Sequence, residues 1–503
     1  MVNEPHKKSN SVIKNCKRLT LPLRKGYLFS VLNRPMKQTR RQFIQTTGAA
    51  VGSITLPHFI SNAEGSSHSD KPLNILYLCS DQQHWQANGA VDPFFDTPHQ
   101  DALAAESTVF ENAFCTTPQC SPSRSSMLTG FYPHTTEMMN NSGALGGTDL
   151  KLPTIGTHLQ KAGFKTALFG KWHLGDNPIA NKGWDEENKR AKDPKITDMA
   201  VDFLNRHANS EHPWALFLMY LDPHDIYHYK PKESIVNTED VQLSESWKKQ
   251  DFDSVPKVHR EFMEINQGEF IVNSDEDSWK GYRDFYRQKV KLYDNHVGRV
   301  VNKLKESGLW ENTIIVNTSD HGDMDTFHRL VFKGPFMYEH MMRIPLSLRL
   351  PNSKAPKKTD YQWVNVDTVP TLLELAGADA IDCHGQSAAP ILTGNGTLPK
   401  REFVIGQYYG KQTWVNPIRT IRTKDWKYNL YTDWGEELYN LTDDPEEIRN
   451  LAQDDKFDEV KRGLRQVLDQ WMKDHDDPFY SFTTTSLDKN EAKTILKGPA
   501  TKG

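Results

Sequence analysis

The sequence predicts an α/β protein with a large, mostly parallel sheet flanked by helices and a smaller C-terminal subdomain of antiparallel sheet plus helix. Three observations support this class. From residue 71 onward, apolar strand-like runs alternate with helical segments, a pattern typical of parallel sheets. Beyond residue 395 the runs become shorter and lie closer together, which favours antiparallel pairing. A longer helical segment then covers about 456–475.

The elements of the large domain follow from apolar runs and helix-start signals. The run over 73–78 is dense in apolar residues and predicts the first buried strand. Thr97 before Pro98 predicts the start of a helix over 97–106, with Thr97 as its N-cap. Further strands are predicted at 166–169, 214–220 and 313–317, and further helices at 154–162 and 282–304.

Two regions depart from this alternation. Residues 225–285 are polar, aromatic and charged, and we interpret them as a substrate-loop insertion. Four short runs predict the antiparallel sheet, at 402–407, 418–423, 426–431 and 437–441. The predicted boundaries are therefore 71–395 for the large domain, 400–480 for the C-terminal subdomain and 484–503 for a loose tail.

Composition and charge exclude several classes of protein. The 503 residues are 37% hydrophobic and 25% charged, and no apolar run approaches the roughly 20 residues of a spanning helix. Five cysteines exclude a disulfide scaffold. Residues 1–63 hold 11 Lys+Arg and one acidic residue, so they carry +10 and the remainder carries −4 − 10 = −14. An acidic mature protein is a poor nucleic-acid binder.

The basic segment over 1–63 resembles a targeting signal. Arg40-Arg41 stands in a twin-arginine pattern, an apolar run covers 48–56, and Ala63 ends a small-x-Ala cleavage site. We expect export by the twin-arginine machinery to the periplasm or outside the cell, without a stable membrane anchor. The stretch ahead of the arginine pair is long, so Met36 is the expected true start. The alternative is an amphipathic or disordered basic tail.

Acidic residues follow two of the predicted strands. Asp81-Gln82 comes after the first strand, and Asp320-His321 comes after the strand at 313–317. Because the carboxyl ends of parallel strands share one edge of a sheet, these groups could bind one hard divalent cation. Each aspartate alone could also be a cap at a strand end.

Cys120 opens the pattern Cys-Ser-Pro-Ser-Arg, at a predicted turn into a helix. Amides at a helix N-terminus favour anions. Cys-x-Pro-x-Arg is the sequence in which maturation enzymes convert cysteine to formylglycine. The stretch over 120–130 resembles the signature of type I, formylglycine-dependent sulfatases, which implies an alkaline-phosphatase-like fold. The alternative for Cys120 is a buried structural thiol.

Other landmarks of that family follow in the same order, over about 71–452. They are Gly170-Lys171-Trp172-His173-Leu174-Gly175, Asp222-Pro223-His224, Ser319-Asp320-His321-Gly322, Lys333 with Tyr338-Glu339, and Glu437-Leu438-Tyr439-Asn440-Leu441. There are also departures, because many sulfatases have Asp-Asp where Asp81-Gln82 stands and Asp-Asn where Asp320-His321 stands. Such pairs occur in branches that resemble choline sulfatases and phosphonate monoester hydrolases.

The resemblance implies a metal and a set of catalytic residues. The metal is expected to be Ca²⁺, with Mn²⁺ or Mg²⁺ as alternatives because one carboxylate fewer softens the preference for calcium. The implied metal ligands are Asp81, Gln82, Cys120, Asp320 and His321. The implied catalytic residues are Cys120, Arg124, Lys171, His173, His224 and Lys333.

The implied mechanism is covalent catalysis by the hydrated formylglycine aldehyde. One hydroxyl of the diol attacks sulfur and expels the alcohol, and deprotonation of the other releases sulfate. Arg124 and Lys171 are expected to neutralise the diol oxygens and the sulfate, and His173 to act as the base. His224 and Lys333 are expected to contact the sulfate and the bridging oxygen, and one of them to protonate the leaving alcohol.

Two further residues are candidates for substrate binding. His328 either contacts substrate or shapes its own loop. Tyr227 either lines a sugar-binding cleft with other aromatics of 225–285 or packs within a solvated insertion.

The expected function is that of an exported bacterial sulfatase acting on a sulfated carbohydrate. Its expected partners are that saccharide, a formylglycine maturation enzyme and the export machinery. An alternative is a hydrolase of phosphonate monoesters or phosphodiesters, or a choline-sulfatase-like enzyme, on the same fold. A third is a glycan-binding protein that has lost catalysis.

Overall fold

The computed structural model of the chain describes residues 72–176, 179–394 and 400–485. The predicted export signal over 1–63 and most of the predicted tail over 484–503 lie outside these residues. Within the described ranges, no helix combines the length and the apolar character needed to cross a membrane.

Eight strands form the larger sheet. They are β1 (Asn74–Asp81), β2 (Thr108–Phe114), β3 (Lys165–Gly170), β4 (Glu186–Asn188), β5 (Trp214–Pro223), β6 (Thr313–Ser319), β7 (Leu346–Arg349) and β8 (Lys358–Val364). Their order across the sheet is β4-β3-β5-β1-β6-β7-β2-β8. Only β7 runs against the common direction, pairing antiparallel with β6 and β2. The predicted mostly parallel sheet is confirmed.

Both faces of this sheet are buried, as its continuous apolar strands predict. In β1, Ile75, Tyr77 and Cys79 belong to one cluster of buried side chains. Leu76 and Leu78 belong to the other cluster, on the opposite face. The alternation follows from the two-residue period of a strand, and it requires helices on both faces.

Helices cover both faces of the sheet and connect its strands. They are α1 (Pro98–Ala105), α2 (Cys120–Thr129), α3 (Pro133–Thr136), α4 (Ile155–Lys161), α5 (Asp193–His207), α6 (Glu245–Lys249), α7 (Lys257–Ile265), α8 (Glu276–Glu306), α9 (Glu339–Met342), α10 (Thr368–Leu375), α11 (Ala389–Thr393) and α12 (Asp458–Asp474).

The start of α1 agrees with the prediction, but the role assigned to Thr97 is wrong. The Thr97 side chain accepts no hydrogen bond from an amide of the first turn, so it is not an N-cap. Its hydroxyl instead accepts from the amide of Gly89 at 2.7 Å and donates to Asp101 Oδ1 at 3.0 Å. The Thr97 hydroxyl that the local sequence pattern predicts as a helix cap therefore accepts from a neighbouring loop instead.

The long helix α8 begins earlier than predicted. The Asp275 side chain accepts from the amide of Ser278 at 3.0 Å, and Glu276 and Asp277 follow in the first turn. The Asp275 carboxylate thus caps a free amide of the first turn, and the negative charges of Glu276 and Asp277 complement the positive helix N-terminus. The region that interrupts the alternation therefore ends before residue 276, and it consists of α6, α7 and loops.

The second sheet has four antiparallel strands in the order β12-β11-β10-β9. They are β9 (Phe403–Lys411), β10 (Trp414–Thr423), β11 (Trp426–Tyr431) and β12 (Glu436–Asn440). The helix α12 follows them, so the predicted C-terminal sheet and helix are both confirmed.

The second sheet packs directly on the larger domain. One cluster of buried side chains includes residues of both sheets, among them Phe114 and Ile421. Lys427 of β11, 1% exposed at its side chain, pairs with Glu339 at 2.8 Å and with Glu447 at 2.7 Å. This packing brings the ends of β9 close to the edge of the larger sheet described next.

Candidate active site

Four neighbouring parallel strands end at the same edge of the larger sheet, each with a polar residue at its end. Asp81 ends β1, Lys171 follows β3, His224 follows β5 and Asp320 follows β6. In open α/β sheets, ligands bind at the carboxyl ends of the strands. The structure therefore brings Asp81 and Asp320 to one edge, as the strand topology predicts, and Lys171 and His224 lie at the same edge.

Cys120 is the first residue of α2 and is 1% exposed. Gln119 before it is extended, with φ of −144°, so the helix begins abruptly at the cysteine. The Cys120 sulfur lies 3.2 Å from His321 Nε2, 3.5 Å from Lys171 Nζ and 3.7 Å from Asp81 Oδ1. This sulfur is in a charged cluster, not in the hydrophobic interior.

The pKa of the Cys120 thiol is well below its usual value. Burial alone would raise this pKa, but the charges of Lys171, Lys333 and His321 outweigh the effect of burial. The Cys79 thiol, in the apolar core, shows the opposite result, because burial raises its pKa. The surroundings of Cys120 are thus built to hold negative charge.

Arg124 binds the carboxylates at both strand ends. Its Nη2 donates to Asp81 Oδ2 at 3.0 Å and its Nε donates to Asp320 Oδ2 at 2.9 Å. Burial alone would raise the pKa of Asp81, but cations that include Lys171 and Arg124 hold it below its usual value. Burial, and then the charge of Asp81, raise the pKa of Asp320. The two carboxylates repel each other, so a further cation would stabilise them.

The side-chain atoms of this cluster that could bind a metal ion lie close together. One ligand atom from each of four buried residues lies within 4.8 Å of the others, and these residues are Asp81, Cys120, Asp320 and His321. His321 Nδ1 lies 2.9 Å from the Gly322 carbonyl, so in the neutral imidazole Nδ1 carries the proton and Nε2 can bind a metal ion. Two carboxylate oxygens and one imidazole nitrogen suit a divalent metal ion. The donor set therefore fits the implied metal.

Gln82, the fifth predicted metal ligand, lies at the same edge but has protein partners. Its Oε1 accepts from Lys333 Nζ at 2.5 Å, and its Nε2 donates to Asp323 Oδ2 at 2.6 Å. A role of Gln82 as a metal ligand stays a prediction. In the structure Gln82 fixes Lys333 beside the cluster.

Two histidines complete the basic lining around Cys120. Burial is the main cause that lowers the pKa of His173, and burial with the charges of Lys171 and Lys333 lowers that of His224 to about 3. Both imidazoles are therefore neutral near pH 7. The structure brings all six predicted catalytic residues to one place, whereas their individual roles stay predictions.

The structure separates the two predicted substrate residues. Tyr227 lies beside the cluster, its ring 4.9 Å from that of His224 and stacked at 4.0 Å on Phe332. His328 is 1% exposed, stacks on Tyr338 at 3.8 Å and shares a hydrogen bond of 2.9 Å with Gln250. These contacts favour the loop-shaping alternative for His328.

Sequence reasoning missed Asp323 and Lys411. Asp323 is fully buried and orients Gln82, and its position two residues after His321 was the available signal. Lys411 ends β9, and its Nζ donates to the Lys333 carbonyl at 2.6 Å and to Tyr227 Oη at 3.2 Å. No local pattern marked Lys411, because only the packing of the second sheet brings it to the site.

A cavity of about 490 Å³ adjoins the cluster at Tyr227. Aromatic, charged and amide side chains line it, among them Tyr229, Lys230, Gln267, Phe270 and Phe332. Most of the lining belongs to the predicted insertion over 225–285. The cavity is therefore an opening of mixed polarity next to the charged cluster.

Comparisons with known proteins agree with this geometry. Residues 73–378 match the family described as Sulfatase, and residues 328–474 match the family described as N-sulphoglucosamine sulphohydrolase, C-terminal. The first match covers more than half of the chain, so the chain belongs to the sulfatase family, in the alkaline-phosphatase-like superfamily. As a member of that family it is a sulfuric ester hydrolase.

Two curated relatives come from Bacteroides thetaiotaomicron. A Delta 4,5-hexuronate-2-O-sulfatase is 27% identical and covers 76% of this chain and 84% of its own length. An N-acetylglucosamine-6-O-sulfatase is 26% identical and covers 87% of this chain and 91% of its own length. A solved 2-O GAG sulfatase has a TM-score of 0.76 at 24% identity, covering 84% of this chain and 96% of its own. This structural likeness supports the fold.

Proposed function

We propose that the chain removes sulfate from a sulfated carbohydrate through a formylglycine made from Cys120. The supporting observation is the setting of Cys120: it opens a helix in a Cys-x-Pro-x-Arg sequence and contacts both Lys171 and His321. The carbohydrate substrate is supported by the curated relatives, one named for hexuronate and one for N-acetylglucosamine.

A divalent metal would be held by Asp81, Asp320, His321 and the residue at 120, with Gln82 as a further candidate ligand. We expect Ca²⁺ first and Mn²⁺ or Mg²⁺ as alternatives, since the imidazole softens the preference for calcium. When bound, the metal supplies Lewis-acid stabilisation of charge on a sulfate oxygen. Arg124 orients both carboxylates by binding Oδ2 of each, so Oδ1 of each carboxylate faces the candidate ion site. Asp320 Oδ1 also accepts from the amides of Gln82 and His321.

The side chains around position 120 would bind the sulfate and move its protons. The modified residue supplies two hydroxyls, one for attack on sulfur and one whose deprotonation releases sulfate. Lys171 and Lys333 hold the sulfate charge, and the neutral His173 accepts the proton of the second step. The pKa of His224 is lowered to about 3, mainly by burial, so His224 has no imidazolium proton to give. We therefore assign the leaving-group proton to Lys333 and a sulfate contact to His224.

We also propose that the protein is exported, after a maturation enzyme has converted Cys120 in the cytoplasm. The support is the twin-arginine pattern at Arg40-Arg41 and the cleavage pattern that ends at Ala63. Export of folded protein suits a chain that receives a modification before it crosses the membrane.

The test is sulfate release by protein co-expressed with a formylglycine-generating enzyme. Peptide mass spectrometry across residue 120 should show conversion, and the enzyme should release sulfate from at least one sulfated mono- or oligosaccharide. Cys120→Ala should abolish release, while Cys383→Ala, at a half-buried thiol outside the cluster, should retain it.

Two outcomes would contradict the proposal. Faster cleavage of an aryl phosphonate monoester than of an aryl sulfate would favour the phosphonate hydrolase. Glycan binding without turnover by fully converted protein would favour the non-catalytic alternative.

A further inference from the structure

Lys411 is a buried lysine without a carboxylate partner among the residues that the structure describes. It is 5% exposed, and its Nζ donates to three neutral acceptors: the Lys333 carbonyl, Tyr227 Oη and Gln267 Oε1. Burial, and then the charge of Lys333, lower the pKa of Lys411 well below its usual value. The ammonium form of Lys411 lacks a counter-ion here, and an anion beside it would stabilise that form.

The surroundings of Lys411 lead to the cavity next to the cluster. Two of its partners, Tyr227 and Gln267, line that cavity together with one further lysine, Lys230, and one carboxylate, Glu269. Lys411 and Lys333 lie on the same aromatic ring, each with its Nζ 5.5 Å from the centroid of Tyr227. The Tyr227 ring therefore lies beside both Lys333, a residue of the predicted sulfate site, and a second lysine.

Gln267 is half-buried and is the partner of Lys411 on the side of the cavity. Its Oε1 accepts from Lys411, while its Nε2 has no hydrogen-bond partner among the residues that the structure describes. An anion entering the cavity could replace Oε1 as the acceptor of Lys411 and also accept from Nε2. An anion would also stabilise the ammonium form of Lys411, and the charge-assisted hydrogen bond that results is about twice as strong as a neutral one.

We propose that Lys411 and Gln267 bind a second acidic group of the substrate, a carboxylate or a further sulfate, in the cavity beside Tyr227. The inference rests on the proposed carbohydrate sulfatase function and narrows its substrate class to saccharides that are acidic at two positions. Lys411 and Gln267 act as specificity-determining residues, since neither contacts Cys120.

The test compares matched substrates with the matured enzyme. One disaccharide carries a single sulfate and a neutral neighbouring sugar, a second has a uronate as that neighbour, and a third carries another sulfate there. For Lys411→Met we expect KM to rise about ten- to a hundredfold on the acidic substrate that the site prefers. On the neutral substrate KM should rise clearly less, because that substrate presents no acidic group to Lys411. Equal effects on acidic and neutral substrates, or no effect, would overturn the inference.

A second variant covers the case in which Lys411→Met does not fold. Gln267→Glu places a carboxylate against Lys411, which supplies its counter-ion and repels an incoming acid. This variant should stay folded and should lose the preference for acidic substrates. Lys165→Met, at an exposed lysine at the start of β3, is the matched control and should keep that preference.

Calorimetry separates this inference from the proposed function. The probe is a disaccharide that contains a uronate and no sulfate ester. Binding that weakens about ten- to a hundredfold in Lys411→Met supports the acidic binding point even if no substrate is turned over. In that case only the proposed function fails. Normal sulfate release with binding and KM independent of Lys411 would overturn the inference alone.

Discussion

At the scale of single residues, the site depends on buried charges that satisfy each other. Arg124 and its two carboxylate partners have side chains at most 1% exposed. An ion pair of this kind contributes little net stability when intact, but removal of one partner leaves an unpaired buried charge. A mutational test should therefore compare the loss of a buried ion pair with the loss of an exposed ion pair of similar geometry.

Arg124→Met should destabilise the fold more than the same change at a surface arginine. We expect a loss of about 3–5 kcal/mol in the free energy of unfolding, because Asp81 and Asp320 lose a shared buried partner. Arg206 also binds two carboxylates but is 45% exposed at its side chain, so Arg206→Met should cost about 1 kcal/mol or less. Urea unfolding of both variants measures the difference, and equal losses would contradict this account.

The pH dependence of stability should change when His328 is replaced. Burial is the main cause that lowers the pKa of His328 to about 3, whereas an unfolded histidine titrates near 6.5. Between these values only the unfolded chain binds the proton, so the stabilising contribution is complete above about pH 6.5 and is lost as the pH falls. His328→Asn, which tolerates the positive φ of 59°, should reduce the slope by about 1.4 kcal/mol per pH unit.

Urea unfolding at several pH values between 4 and 7 gives this slope. Substrate KM is the second readout. A large rise in KM for His328→Asn would favour the substrate-contact role over the loop-shaping role.

At the scale of elements, strand ends position the catalytic candidates, and the backbone there has little room. Gly170 ends β3 with φ of +107°, directly before Lys171. The amide of Lys171 donates to the Met219 carbonyl of β5 at 2.8 Å. The path of the chain from β3 to Lys171 therefore depends on close contact with β5.

Gly170→Ala should destabilise the protein and displace Lys171. A Cβ at Gly170 would meet the Met219 carbonyl oxygen at 2.1 Å, a backbone atom that cannot move aside. We expect a loss of about 2–5 kcal/mol from strain and overpacking, with a strong fall in sulfate release. Gly163 also has a positive φ, of +89°, but nothing lies within 4 Å of its Cβ.

Gly163→Ala is therefore the matched control, with an expected loss of about 1–2 kcal/mol and normal kinetics. Thermal unfolding and sulfate release should be measured for both variants. Equal losses of stability and of sulfate release in the two variants would show that the contact of Gly170 with β5 does not position Lys171.

At the scale of the whole molecule, the two sheets share a cluster of buried side chains, and the predicted metal would sit at the edge of the larger one. A ligand that binds only the folded chain raises its stability with concentration. The mutual repulsion of Asp81 and Asp320 makes this coupling strong for a divalent cation.

Metal removal should therefore lower both stability and activity. Dialysis against a chelator should abolish sulfate release and lower the melting temperature, and Ca²⁺ at about 100 times its Kd should restore about 2.7 kcal/mol. Asp320→Asn should lose most of this calcium-dependent stabilisation, since it removes one ligand charge. An unchanged melting temperature in chelator would contradict the proposed metal site, and a larger shift with Mn²⁺ would identify that ion instead.

Much of the architecture was accessible from local sequence patterns. The strand at 73–78, the start of α1 at Pro98 and the four antiparallel strands follow from apolar periodicity and turn signals over a few residues. The clustering of Asp81 with Asp320 was also predictable, since parallel strands end at one edge. These features depend on neighbours in the sequence or on a general rule of sheet topology.

Other features were decided only by contacts between distant segments. The Thr97 hydroxyl accepts from a loop amide rather than from an amide of its own helix. Gln82 is held by Lys333 and Asp323, and Lys411 reaches the site from the second sheet. The sequence by itself determined which elements form and which reactive groups they present, because those depend on local periodicity. Tertiary structure decided which partners those groups have, because buried polar atoms bind whatever donor or acceptor the packing of the whole chain brings within reach.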